Sequence, residues 1–263
     1  PLSSPPAAQI GFSGQGYEIP EHQADSVTMS RSFNGISFSA GAGYDISEAA
    51  FLGLSLYRTE RAPAIEELFS DGPHLATNAF ERGNSALDVE TALGIEATYT
   101  YATGPLSFVI NGFYTTYDDF IYEQETGEEE DGLPVFVFQA ANAKLYGFES
   151  QTKVHLGATK TARLGAIDWD LDAQLDYVRA LLTNGSGDTD LPRIPPLSGL
   201  IGIEASTALI DLRAELEYSA AQKKTATFQL GADDYLLWNV YLTRRSFADS
   251  GLALALHGVS LNQ

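Results

Sequence analysis

The sequence predicts an all-β protein, an antiparallel up-and-down β-barrel that crosses a membrane. Three observations predict it. Long segments alternate apolar with polar or charged residues at period two, as strands of a two-faced sheet do. The segment Leu106–Tyr122 exceeds the ~5–6 residues usual in soluble sheets and reaches the ~9–11 that cross a bilayer. Short turns alternate with long connections, as in barrels whose two rims differ. The alternation yields about ten to eleven strands.

Taken in order, Ala8–Ile19 reads as a strand weakened by Gly11, Gly14 and Gly16, and Pro20–Ser30 as a loop, so residues 1–30 are poorly defined. Ser32–Tyr44 puts Phe38, Ala40, Ala42 and Tyr44 on one face. Phe51–Arg58 returns with Leu52, Leu54 and Leu56 opposite Gly53, Ser55 and Tyr57. Leu93–Tyr101 sets Leu93, Ile95, Ala97, Tyr99 and Tyr101 against Gly94, Glu96, Thr98 and Thr100. After the tight turn Ala102–Pro105 comes Leu106–Tyr122, in which Phe113 and Tyr117 break parity with Leu106, Phe108 and Ile110. A bulge would reconcile them. Glu123–Pro134 reads as a long acidic loop, and Val135–Leu156 as the returning strand.

Trp169–Leu182 alternates most cleanly, with Leu171, Ala173, Leu175 and Tyr177 opposite Asp170, Asp172, Gln174 and Asp176. Thr183–Pro196 is a third long connection. Leu197–Ala205 follows, then Leu212, Ala214, Leu216 and Tyr218 opposite Asp211, Arg213, Glu215 and Glu217. Ala220–Leu230 reads as a fourth long connection, with Tyr235–Arg244 and Gly251–Gly258 closing the series. A soluble barrel turns its apolar rows inward; a membrane barrel turns them to lipid and lines its lumen with polar ones. The prediction is therefore that Leu171, Leu175, Leu212 and Leu216 face outward and Asp170, Asp172 and Glu215 face inward.

Composition narrows the function classes. Net charge is -20, which argues against nucleic-acid binding, a function that needs a basic footprint. The absence of cysteine removes disulfides and thiolate metal sites. No run of ~18 apolar residues provides a spanning helix. Thirteen tyrosines and fourteen phenylalanines suit aromatic girdles at the two membrane surfaces. The chain opens at Pro1 with no initiator methionine and no basic-then-apolar leader, the expected look of a chain cut from something longer. No nucleophile elbow is present, and Gly14-Gln15-Gly16 lacks the third glycine of a dinucleotide site. The expectation is a non-enzyme with no bound cofactor.

Between two strands lies Arg58–Glu96, too long for a hairpin turn; connections of that length are usually functional. Arg61-Ala62-Pro63, Glu66-Glu67-Leu68-Phe69, Gly83-Asn84, Leu87, Glu90 and Glu96 resemble the barrel signature of TonB-dependent outer-membrane receptors. Asp118-Asp119-Phe120-Ile121-Tyr122, Tyr146-Gly147-Phe148-Glu149 and Pro192-Arg193-Ile194-Pro195-Pro196 resemble later motifs of that family, in the same order. Val259-Ser260-Leu261-Asn262 sits where the family has "NLLN", departing at Val259 and Ser260.

The resemblance implies a barrel of roughly 22 strands around a plug. About half of those strands are accounted for here, with no plug, so residues 1–263 are expected to be a C-terminal barrel portion and, alone, an open sheet or a forced smaller barrel. It further implies residence in the bacterial outer membrane, contact with its lipid, and uptake of a scarce metal ion or metal chelate. The TonB-ExbB-ExbD system would act through the missing plug. The alternative is a passive porin-like barrel.

The stretch Gly72–Glu81 resembles the loop of the zinc-uptake branch, where a histidine lies near the metal path. The candidate metal residues are His74, Glu81 and Asp71, since imidazole and carboxylate are what Zn²⁺ takes without thiolates. The competing reading is a loop histidine bonded to backbone. The acidic run Glu123, Glu125, Glu128, Glu129, Glu130 and Asp131 reads as a solvated face, or as a Ca²⁺ or cation-concentrating loop. His155 and His257 read as structural strand residues, and His22 as a loop residue.

Overall fold

The computed structural model describes residues 8–24, 27–184, 187–226, 228–244 and 254–262. Three strands open the chain, β1 (Ala8–Ala24), β2 (Val27–Ser47) and β3 (Ala50–Arg61). A helix α1 (Ile65–Phe69) and a small hairpin, β4 (Asp71–His74) with β5 (Ala79–Arg82), follow. Next come β6 (Glu90–Thr103), β7 (Leu106–Glu130), β8 (Leu133–Thr161) and β9 (Gly165–Asn184). The short β10 (Gly187–Asp190) folds back on β9, and β11 (Ser198–Ser206), β12 (Ile210–Ser219), β13 (Tyr235–Arg244) and β14 (Leu254–Asn262) complete the order.

The main path is β1-β2-β3-β6-β7-β8-β9-β11-β12-β13-β14, every neighbour antiparallel. Among the described residues nothing pairs β1 with β14, so the sheet is open, as expected. One rim carries short turns at Glu48-Ala49, Gly104-Pro105, Ala162–Leu164 and Thr207–Leu209. The other carries the long connections.

Register decides which side chains share a face. Leu54, Ala97, Gly112, Phe148 and Tyr177 lie in one cross-strand row, and Leu175, Gly199 and Tyr218 in the next row on the same face. Neighbouring rows add Leu52, Leu56, Ile95, Ile110, Leu171, Ile201, Leu212, Leu216, Trp238 and Val240. This face is open: Leu56 is 49% exposed, Ile201 56% and Leu212 48%. In water each such side chain would forgo about 1.5–3 kcal/mol of burial, and an apolar face this wide marks a surface that another apolar phase covers. On the other face the carboxylates of Asp172 and Glu215 are covered, their side chains only 20% and 12% exposed, while Glu149 and Asp176 open to the space the sheet curves around. The apolar-out, polar-in orientation predicted for a membrane barrel is therefore the one present.

Aromatic rings border the apolar band. Tyr114 and Tyr146 stack at 6.2 Å, with Phe148 and Tyr177 6.1 Å apart on the next strands. Toward the short-turn rim Tyr99 and Tyr101 flank Phe108 at 5.6 and 5.5 Å. On β9, Trp169 and Tyr177 stand about 27 Å apart along the strand, or about 20 Å along the barrel axis after the usual tilt, on the scale of the ~25 Å apolar band. Trp169 Nε1 donates to Thr159 Oγ1 at 2.9 Å, so the ring keeps a polar handle at the boundary.

Several boundaries differ from the sequence expectation. Pro20–Ser30 is mostly strand, and His22 belongs to β1. Glu123–Pro134 is not a loop: β7 runs on to Glu130, turns through Asp131-Gly132 with φ of 52° and 76°, and returns as β8. Two successive positive φ values are what a two-residue hairpin turn needs, and Asp-Gly is its usual sequence. Phe113 faces inward opposite Gly147, before the bulge between Tyr117 and Phe120, so that bulge does not reconcile its parity. Its ring occupies the room left by the glycine. The strand starting at Gly251 begins instead at Leu254; residues 251–253 lie outside the described residues.

One ion network organises the inward face of β9, β11 and β12. Asp172, Gly202 and Glu215 stand in register. With no side chain on Gly202, the Arg213 guanidinium lies across it and reaches Asp172 Oδ1 and Oδ2 at 2.5 and 2.8 Å. Arg213 Nε donates to Glu215 Oε1 at 2.6 Å, and Glu204 is 3.8 Å away. Replacing Arg213 with leucine leaves these carboxylates facing one another. The expected cost is about 2 kcal/mol, the scale of a lost charged hydrogen bond. The check is the temperature at which the folded form shifts to the unfolded position on a denaturing gel. It should fall in Arg213→Leu and be partly restored by adding Asp172→Asn.

Candidate functional site

At the long-connection rim the chain between β3 and β6 is built on one arginine. Arg61 ends β3 and donates to Glu67 on α1 at 2.9 and 3.0 Å. Its other nitrogens reach Glu90, the first residue of β6, at 3.1 and 3.3 Å. The buried Glu90 also accepts the Ile121 N–H at 2.9 Å, so one carboxylate ties β3, β6 and β7 together. Glu67 accepts the Ala64 N–H at 2.7 Å, which starts the helix. The backbone N–H groups of Gly83 and Asn84 bond to the carbonyls of Ser70 and Glu67 at 2.7 and 2.8 Å, closing the excursion at its base. Leu68, Phe69 and Leu87 then pack with Phe33, Ile121 and Phe138 in a buried cluster. The motif residues noted in the sequence thus clamp this excursion to the barrel rim.

The clamp carries the β4–β5 hairpin, whose tip Leu75–Asn78 bends through Asn78 at φ 53°. β5 adds in parallel to β8, Phe80 beside Val135 and Arg82 beside Val137. His74 Nδ1 lies 2.7 Å from Glu81 Oε1 and 3.0 Å from Thr77 Oγ1. Thr77 also donates to Glu81 at 3.2 Å. Asp71 stands three residues before His74, on the other face of β4, and is the register partner of Arg82. The structure therefore brings His74 and Glu81 together and sets Asp71 apart. Among the described residues no three His, Asp or Glu side chains form a metal-holding group.

Glu123, the first residue of the acidic run noted in the sequence, also enters this site. Its carboxyl lies 3.6 Å from Arg193 Nη2 and near enough to the Glu81 carboxylate to feel its charge. Burial first, then the charge of Glu81, push its pKa up, opposed by Arg193 and His74. The rest of the acidic run is partly neutralised: Arg82 pairs with Glu128 at 3.2 Å and with Glu130. Beside Glu123 the Phe120, Tyr122, Leu145, Leu191, Arg193 and Phe228 side chains border a cavity of about 260 Å³. What this rim offers is an imidazole–carboxylate pair, a second carboxyl against it, and an aromatic hollow next door. On the inward barrel face His155 Nδ1 contacts Asp170 Oδ1 at 3.2 Å, a separate pair.

The sequence matches the family described as "TonB dependent receptor-like, beta-barrel" over residues 13–259, nearly its whole length. The chain belongs to the TonB-dependent receptor β-barrel family. This receptor barrel superposes on the copper transporter OprC with a TM-score of 0.80 at 18% identity, over 97% of this chain and 39% of that one. The ferric-catecholate import receptor Fiu from K12 E. coli gives 0.58 at 17% identity, over 88% and 31%. The ferric enterobactin receptor PfeA from Pseudomonas aeruginosa gives 0.58 at 16%, over 95% and 39%. At these identities the likeness shows the shared fold. The chain spans about two fifths or less of the length of these structures. Receptor barrels of this family reside in the bacterial outer membrane, where barrels carry short turns on the periplasmic side and long loops outside, so the clamp and hairpin lie on the outer side.

Proposed function

We propose that this receptor barrel is part of the membrane-spanning wall of an energy-coupled importer of a scarce metal ion or metal chelate, with zinc the cargo that its rim chemistry favours. The observation that carries the reading is the His74–Glu81 pair held 2.7 Å apart at the extracellular hairpin. A nitrogen and an oxygen ligand side by side suit Zn²⁺, and the Glu123 carboxyl lies against them. Two protein ligands make a site of first contact that releases its ion, with further ligands coming from a plug outside residues 1–263. Asp71 would act from the far face of the hairpin as a field charge rather than as a ligand. The neighbouring structures named for copper and ferric-catecholate import support metal uptake in general. Coupling to TonB-ExbB-ExbD would run through that plug.

The test is uptake of radiolabelled zinc at limiting concentration by cells carrying the receptor expressed from its complete gene. His74→Ala should reduce initial uptake about tenfold or more, since even outer-shell partners of a metal are worth 10–100-fold in affinity. Unchanged uptake would remove zinc capture by this hairpin. Uptake that survives collapse of the proton-motive force would instead make the protein a passive pore.

A further inference from the structure

Of the four histidines in the chain, His74 and His155 each set Nδ1 against a carboxylate oxygen. His74 does so at the outer rim. His155 does so near the opposite mouth, on the inward face of β8, where Nδ1 lies 3.2 Å from Asp170 Oδ1 on β9. Asp170 follows Trp169, the ring at the short-turn border of the apolar band. The sequence reads His155 as a structural strand residue. Its side chain is nonetheless 48% exposed, and exposed ion pairs do little to hold a fold together. The spacing suits another use. Two atoms bound to one tetrahedral zinc ion, each about 2.0–2.1 Å from it, stand about 3.3 Å apart.

A third donor stands beside the pair. Glu204 on β11 is the register partner of Asp170, and like charges directly opposite each other destabilise a sheet. The nearby cation Arg213 is engaged by Asp172 and Glu215, and Lys153, two positions from His155 on the same face, stands in register with Asp172. Glu204 accepts the Ser206 hydroxyl at 3.0 Å, so the three groups are not closed around an ion. A divalent cation drawn to His155 and Asp170 relieves the facing carboxylates and turns Glu204 toward itself. We propose that His155 and Asp170, with Glu204 as third donor, form a second Zn²⁺ site at the short-turn end of the barrel wall, which takes the ion after it leaves the outer hairpin. The proposal rests on the reading of zinc as cargo. One nitrogen and two oxygens leave a fourth position open, through which the ion is passed on.

The experiment titrates Zn²⁺ against a chromogenic chelator in the presence of the receptor, expressed from its complete gene and purified in nonionic detergent. His155→Asn should weaken the binding of one ion at least tenfold, and His74→Ala that of a different one. His155→Cys supplies another zinc ligand and should keep the ion that His155→Asn loses. In cells, His155→Asn should bind surface zinc as the wild type does when the proton-motive force is collapsed, while energised uptake falls about tenfold. Unchanged binding in His155→Asn, or equal loss in His155→Asn and His155→Cys, overturns the site. A lost ion with unchanged uptake overturns its place on the path. A wild type that imports no zinc removes the cargo reading and this site with it. If His74→Ala impairs uptake and His155→Asn does not, the cargo reading stands and the second site alone falls.

Discussion

Replacing Gly147 with valine should abolish assembly of the barrel. A β-carbon at this position would stand 2.1 Å from the Tyr177 carbonyl oxygen, 2.8 Å from the Phe113 ring and 3.0 Å from the Val178 Cα. Two of those three atoms belong to the backbone of β9, where Gly147 pairs with Val178, and cannot turn aside. Overpacking of a core that can adjust costs about 1–3 kcal/mol; here the ladder between two of the longest strands must open, and the cost exceeds that range. The expected result is less than about a tenth of the wild-type amount of folded receptor in outer-membrane fractions. Adding Phe113→Ala should not rescue it, because the nearest obstacle is a main-chain oxygen. Wild-type levels of folded Gly147→Val protein would show that the β8–β9 contact is looser than described.

Arg61→Leu is expected to have the second-largest effect, confined to the outer rim. Glu90 is 8% exposed and would lose its counter-ion while still holding the Ile121 N–H. Breaking a buried pair by removing one partner costs ~3–5 kcal/mol; the exposed Arg61 end puts this case near the lower bound, about 3 kcal/mol. Hydrogen exchange should show the segment from Ala62 to Val89 opening while the strands below stay protected. Glu90→Gln in the Arg61→Leu background keeps an acceptor for Ile121 without the charge, and should recover much of the protection. If exchange in that segment is the same in wild type and Arg61→Leu, the clamp is not electrostatic.

The membrane part of the fold was legible because lipid imposes a rule on every second residue. Leu171, Leu175, Leu212 and Leu216 alternate with carboxylates so regularly that one orientation satisfies them all, and Tyr235–Arg244 matches β13 to the residue. Reading failed where tertiary contact overrides local character. Glu123–Glu130 has poor strand propensity, yet it pairs with Leu133–Phe138, whose Val135 is completely buried. The Asp131-Gly132 turn was the available signal, and the charge run masked it. Phe113 looked like an error of register because its partner is a glycine on another strand. Of the site, His74 and Glu81 were legible from one short segment. Asp71 was misplaced relative to them because a strand of four residues puts positions three apart on opposite faces. Glu123 was legible only as a member of the acidic run; its place beside Glu81 depends on the parallel pairing of β5 with β8.

The β7–β8 hairpin has its own consequence. One of its faces is covered by the cluster around Leu68 and Leu87, and Phe120, Tyr122 and Ala141 pack with Leu191 and Ile194. Packing of this external architecture is therefore complete below the tips Leu75–Asn78 and Thr126–Gly132. The tips themselves are fastened by few contacts, Arg82 to Glu128 and Glu130 and Thr77 to His74 and Glu81, so positions in them outside those contacts and the Asp131-Gly132 turn can change at small structural risk. What the receptor presents to the outside can therefore vary without rebuilding the scaffold beneath.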